Sequence, residues 1–170
     1  MFEPVRYLEW ARRFYGKVRF DLASSGVPAV ALSESTGPPS PADDWESLRA
    51  AIAAYNDVPE SEVIAALGTT HALWLACAAL TSPGDEVLIE DPAYEPLVRI
   101  AEGVGARVSR FARTADEGFG IDPQRIARAM TPRTRVVIVT NLYNPAGTRC
   151  QDDVLRAAAR AAEARGSVLL

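Results

Sequence analysis

The chain has 170 residues, 48% of them apolar and 24% charged, with a formal net charge of −4 at pH 7. That is the balance of a folded protein with one sizeable core, and it excludes a disordered polyelectrolyte. Its basic residues are scattered arginines, with Lys17 the single lysine, which argues against a nucleic-acid-binding surface and its concentrated basic field.

Pro4 to Tyr15 is predicted to form a short helix, with Val5, Leu8, Trp10 and Phe14 spread around it. No apolar leader core lies in this region, so no secretory signal is read. Residues 21–41 are rich in Gly, Pro and Ser and are predicted to be extended. Asp43-Asp44 caps a predicted helix through Tyr55, with Trp45, Leu48, Ile52 and Tyr55 at helical spacing.

From residue 62 strands and helices alternate. Val63–Leu67 is a predicted strand, Gly68-Thr69-Thr70 a tight turn, and His71–Leu80 a helix that is apolar almost all round. The apolar run within it, Ala72 to Leu80, is far shorter than the ~20 residues of a membrane span. Strands at Glu86–Glu90, Arg107–Phe111 and Thr134–Thr140 alternate with helices at Tyr94–Gly103, Asp122–Met130 and Asp152–Ala164. Asp122 caps its helix with Pro123 at the first position, and Gly166 stops the last helix.

Strands separated by helices of this length predict an α/β fold, a mostly parallel sheet with helices on both faces, preceded by an N-terminal helical and extended segment. The expected division is 1–41 for the helix and arm and 42–170 for the α/β domain. The chain closes on Ser167-Val168-Leu169-Leu170, an apolar strand, which is read as a truncation because termini usually lie in exposed polar segments. Cys77 and Cys150 fit neither a disulfide framework nor a metal site, so no metal is expected. The expected compartment is the cytoplasm.

Three stretches carry chemistry. Gly68-Thr69-Thr70 joins a glycine turn to a helix N-terminus, where free N–H groups and the helix dipole favour an anion, although the same residues could serve as a plain helix cap. Asp91-Pro92-Ala93-Tyr94 leaves the strand at Glu86–Glu90, and the proline fixes the chain so that Tyr94 can project over a crevice or pack at its helix start. Asn144-Pro145-Ala146-Gly147 follows the strand at Thr134–Thr140 and places a side-chain amide at the carboxyl end of the sheet, where open α/β sheets bind ligands. His71, the only histidine, has no nucleophile or metal-ligand companion and is read as a helix-start residue.

In this order and at these spacings the motifs resemble class I and II aminotransferases, pyridoxal 5′-phosphate (PLP) enzymes of fold type I. The likeness runs from about Gly26 to Leu170. It implies that Gly68, Thr69 and Thr70 hold the cofactor phosphate, that Tyr94 stacks on the pyridine ring, and that Asn144 donates to the ring's phenolic oxygen. Gly26, in Ser25-Gly26-Val27-Pro28, would let backbone approach the substrate carboxylate beside Asn144; linker punctuation explains it equally well. The implied reaction moves an amino group between an amino acid and a 2-oxo acid, in a homodimer of full-length chains. A lyase or decarboxylase on the same scaffold, or a non-catalytic PLP-binding or subunit-interaction domain, are the alternatives.

The resemblance also implies groups that the sequence does not contain. The Schiff-base lysine, the acid that pairs with the pyridine nitrogen and the substrate-clamping arginine are expected beyond Leu170, and Lys17 does not fall in the family's motif order. A tyrosine that reaches the partner's phosphate is expected near residues 35–41, where no aromatic occurs. The strand before Gly68 would pair with one late in the family's sequence, so Val63–Leu67 is expected to lack a neighbour, and the isolated chain to be marginally stable or aggregation-prone.

Overall fold

A computed structural model describes residues 3–21 and 44–170. The 22–43 connection, including Gly26, lies outside the described residues. Contacts divide the chain into two compact units, Met1–Arg13 with Leu67–Leu170, and Phe14–Ala66.

In the smaller unit Asp44 accepts a hydrogen bond from the Ser47 N–H at 2.8 Å and starts helix α2, Trp45–Asn56. Removal of that cap exposes a helix-start donor, which is why Asp, Asn, Ser and Thr dominate this position. Asp57 ends the helix in the left-handed conformation at φ 54°. Trp45, Leu48, Ile52 and Tyr55 lie on an apolar stripe that stays exposed, Tyr55 at 90%.

The larger unit begins with α1, Arg6–Ala11, shorter than the predicted span, and continues through α3, Gly68–Leu80. After them come β1 (Glu86–Asp91), α4 (Glu95–Gly103), β2 (Arg107–Ala112), α5 (Pro123–Ala129), β3 (Thr134–Ile138), α6 (Asp152–Glu163) and β4 (Val168–Leu169). The four strands form one parallel sheet in the order β2-β1-β3-β4. Asp122 caps α5 through the Gln124 N–H at 2.8 Å, with Pro123 at the first position.

The predicted strand at Val63–Leu67 does not form. Those residues follow a 3-10 turn at Glu60–Glu62 as irregular chain, and Ile64 and Leu67 are 81% and 89% exposed. A strand exists only where a neighbour satisfies its backbone groups, and among the described residues no strand lies beside this one. The lack of a neighbour that the resemblance implied removes the strand itself.

Side-chain alternation sets the two layers. Val87 and Ile89 of β1 and Val136 and Ile138 of β3 pack against Cys77 of α3 and Leu97, Ile100 and Ala101 of α4. Leu88 and Val137 face the other way, onto Ile126 and Met130 at α5 and Ala158 and Ala162 of α6. Each fully buried aliphatic side chain contributes about 1.5–3 kcal/mol. Parallel strands covered on both faces read as unbroken apolar runs, as Val87-Leu88-Ile89 and Val136-Val137-Ile138 do.

Past β2, the Arg125 guanidinium donates to both carboxylate oxygens of Glu117, each at 2.7 Å, and to the Ala112 carbonyl at 2.8 Å. Those bonds, with help from the Thr114 hydroxyl, pull the Glu117 carboxyl down to about 2. A depressed carboxyl adds stability above its unfolded value and loses it as pH falls through the folded value. In an NMR titration Glu117 therefore protonates near pH 2, and Arg125→Gln returns it toward the ordinary range near about 4.3. An unchanged midpoint in the variant would refute the assignment.

Candidate functional site

The carboxyl ends of β1 and β3 lie side by side, and each continues into one of the motif loops. From β1 the chain passes Asp91 and Pro92 to a half-buried Tyr94, the residue that precedes α4. From β3 it passes Thr140 to Asn144, whose side chain is exposed. The Tyr143 hydroxyl donates to the Pro92 carbonyl at 2.5 Å and ties the two loops together. Tyr143 also closes its own loop. Its carbonyl accepts from the Gly147 N–H at 2.6 Å and its N–H donates to the Thr148 carbonyl at 2.9 Å. Gly147 adopts φ +69°, a conformation that glycine supplies without strain.

Beneath both loops lies a polar cluster that sequence reasoning missed. Glu90, the last buried residue of β1, is fully enclosed, and its Oε2 accepts from Arg113 Nη1 at 2.6 Å. Glu90 Oε1 accepts from the Thr140 N–H at 3.0 Å and from the Thr140 hydroxyl. Arg113 also donates through Nε to the Phe119 carbonyl at 2.8 Å, and its guanidinium lies 3.7 Å from the centre of the Tyr143 ring. Burial pushes the Glu90 carboxyl above its ordinary value, opposed by the Thr140 and Arg113 hydrogen bonds. Burial likewise raises the Tyr143 phenol, reinforced by the Glu90 charge. The available signal was the strand alternation. In Glu86-Val87-Leu88-Ile89-Glu90 both acids fall on the face of Leu88, so both are buried and must find partners.

Gly68, Thr69 and Thr70, predicted as a turn, form the first turn of α3, which starts three residues earlier than expected. Gly68 sits at φ +78°, where a side chain would be strained. The apolar Leu67 side chain at the N-cap accepts no hydrogen bond from this helix, and no acid lies in its first turn. The leading N–H groups of a helix have no partner within it, so a phosphate would find donors, a favourable dipole and two exposed hydroxyls. His71 is a helix-start residue, as expected; its Nδ1 accepts from the Leu67 N–H at 3.0 Å.

Thr70 and His71 also border a hollow of about 480 Å³ that extends to Val5 and Leu8 of the N-terminal segment and to Pro96 and Ile100 of α4. Glu95 docks α1 here, accepting from the N–H groups of Arg6 at 3.2 Å and Tyr7 at 2.9 Å. Those bonds, the Tyr7 bond foremost, hold the Glu95 carboxyl below its ordinary value. The Tyr7 ring meets Tyr94 edge-on at 6.2 Å between centroids.

The structure thus joins the Tyr94 and Asn144 loops directly and sets the α3 N-terminus beside α4. Among the described residues no hydrogen bond joins Gly68, Thr69 or Thr70 to Asn144. Gly26 lies outside the described residues. Among the described residues no group of three His, Cys, Asp or Glu side chains could hold a metal, and no helix is long and apolar enough to cross a membrane. Burial raises the thiols of Cys77 and Cys150, which disfavours the reactive thiolate.

A parallel sheet with a glycine helix start and an Asn-Pro-x-Gly loop at its carboxyl end has the arrangement in which open α/β proteins bind ligands, phosphates among them. Residues 40–170 match the family aminotransferase class I and II, and the chain belongs to that family. It is 39% identical over 108 residues to the aspartate/prephenate aminotransferase of Thermus thermophilus, covering 62% of this chain and 27% of that protein. It is 33% identical over 150 residues to a probable N-succinyldiaminopimelate aminotransferase of Mycobacterium tuberculosis, covering 84% of this chain and 37% of that one. The solved aspartate aminotransferase of Thermus thermophilus with maleate superposes with a TM-score of 0.69 at 33% identity, over 72% of this chain and 34% of that chain. The chain therefore spans well under half the length of these relatives. The family depends on PLP.

Proposed function

We propose that this protein takes part in PLP-dependent transfer of an amino group between an amino acid and a 2-oxo acid. The observation that carries the proposal is the hydrogen bond from Tyr143 to Pro92. It couples the Asn144 and Tyr94 loops at one edge of the sheet, as a ligand held by both residues requires. The first turn of α3, which holds no acid, fits a phosphate. Gly68, Thr69 and Thr70 would hold it through N–H groups and hydroxyls, Tyr94 would face the pyridine ring, and the Asn144 amide would donate to its phenolic oxygen. Gly26 and Asn144 would border the substrate.

When bound, PLP supplies the electron sink for chemistry at the amino acid's Cα, while the protein binds and orients. Lys17, the only lysine, belongs to the Phe14–Ala66 unit and takes no catalytic role in the proposed reaction. The working assembly is proposed to be a cytoplasmic homodimer engaged in amino acid metabolism, with no nucleic acid or membrane partner.

The test is an NMR titration of the chain with PLP and, separately, with pyridoxamine 5′-phosphate, because a transferase must accept both forms of the cofactor. Expected are shifts at the Gly68–Thr70 backbone amides and the Asn144 side-chain amide for both probes. Asn144→Ala should weaken binding about tenfold, in line with loss of one or two polar contacts. Borohydride treatment should leave Lys17 unmodified. Shifts confined to other residues, or a chain that binds only the pyridoxal form, would refute the reading.

A further inference from the structure

The Asn144 backbone N–H donates to the Thr140 hydroxyl at 3.1 Å, and that hydroxyl donates in turn to Glu90. Glu90 is gripped on its other oxygen by Arg113, whose guanidinium lies on Tyr143, and Tyr143 holds Pro92. Two routes therefore leave one buried carboxylate. One reaches Asn144 through Thr140, and the other reaches the Tyr94 loop through Arg113 and Tyr143.

We infer that Thr140 is a positioning residue, which fixes Asn144 relative to Tyr94 because its hydroxyl relays the location of Glu90. A hydroxyl suits this place because it donates to a carboxylate and accepts from an N–H at the same time. Neither route passes through the sheet's own ladder. The geometry at the carboxyl edge is thus set by side chains that the strand register alone would leave free. Residues 144–147 are all exposed, and besides the Thr140 bond the turn is held by the backbone bonds of Tyr143 to Gly147 and Thr148.

The inference rests on the proposed cofactor reading, but its first test does not need the cofactor. Thr140→Val preserves shape and removes the hydroxyl, and Glu90 keeps Arg113 and the Thr140 N–H, so the chain is expected to fold. Amide hydrogen exchange is then read at Asn144. Thr140→Val should speed it about tenfold, the scale of one lost hydrogen bond, with the β1 and β3 amides unchanged. Thr140→Ser, which restores the hydroxyl, should return it to within about twofold.

Unchanged exchange at Asn144, a uniform change across the sheet, or failure of Thr140→Ser to rescue would each overturn the inference. In a second arm the affinity for PLP should fall about tenfold in Thr140→Val and recover in Thr140→Ser. Equal affinity in the Val variant would overturn the positioning role. If the unsubstituted chain binds no PLP, the cofactor reading fails, and the exchange measurement alone decides whether Thr140 fixes Asn144.

Discussion

Arg113→Met lowers the free energy of unfolding by about 3–5 kcal/mol, the scale of removing one partner from a buried ion pair. The Arg113 side chain is 1% exposed and that of Glu90 0%, so water cannot replace what is lost. Methionine keeps much of the stem's bulk, so the change isolates the guanidinium: its bonds to Glu90 and Phe119 and its face on the Tyr143 ring. With a urea slope of about 1–3 kcal/mol per M, the unfolding midpoint should drop by about 2 M. A drop below about 0.3 M would show that the pair contributes little and that solvent reaches Glu90.

The same variant has a defined pH dependence. Burial already raises the Glu90 carboxyl, and Arg113 is one of the groups holding it down. Without Arg113 the carboxyl rises further. A carboxyl raised on folding contributes stability fully below its unfolded value, near about 4.3, and loses it as pH climbs through the folded value. The deficit of Arg113→Met relative to the parent should therefore be smaller near pH 4, where the Phe119 bond and the Tyr143 contact are still lost, and widen toward pH 8. Adding Glu90→Gln removes the stranded charge and should recover part of the loss at pH 8 but almost none at pH 4. A deficit constant across that range would exclude Glu90 as the charge left behind.

Which features the sequence reveals follows from the range of the forces involved. The caps at Asp44 and Asp122 act within three residues, so both helix starts were legible. The buried strands declare themselves as apolar runs, and their alternation with helices is enough to predict a parallel sheet. Val63-Ile64-Ala65-Ala66-Leu67 has the same local appearance, yet its backbone finds no strand neighbour among the described residues, and nothing within five residues reports that. The contact from Glu95 to the start of α1 spans 88 and 89 residues, beyond any periodicity. Glu90 was half legible. Alternation shows that it points inward, but not that its partner is Arg113, 23 positions on. At the site, the Asn144 loop and the α3 start were visible as motifs, whereas the polar cluster beneath Asn144 joins residues up to 50 positions apart and appears only in the folded chain.

Leu88→Ala and Ile64→Ser form a paired test of where the core ends. Leu88 is 0% exposed in the strand flanked on both sides by β2 and β3, against Phe111, Ile126 and Val137. Truncation there removes three buried carbons and leaves a cavity between close-packed layers, which costs about 2–5 kcal/mol in such cores. Ile64→Ser is the more disruptive-looking change by sequence, since a hydroxyl enters a predicted strand. At 81% exposure it should nonetheless shift stability by no more than about 0.5 kcal/mol. Chemical denaturation of the two variants decides the matter. A loss above about 2 kcal/mol for Ile64→Ser would mean that residues 63–67 do pack as a buried strand. A loss for Leu88→Ala below about 1 kcal/mol would mean that the layer of α5 and α6 is not seated on the sheet, because a packed site cannot lose an isopropyl group so cheaply.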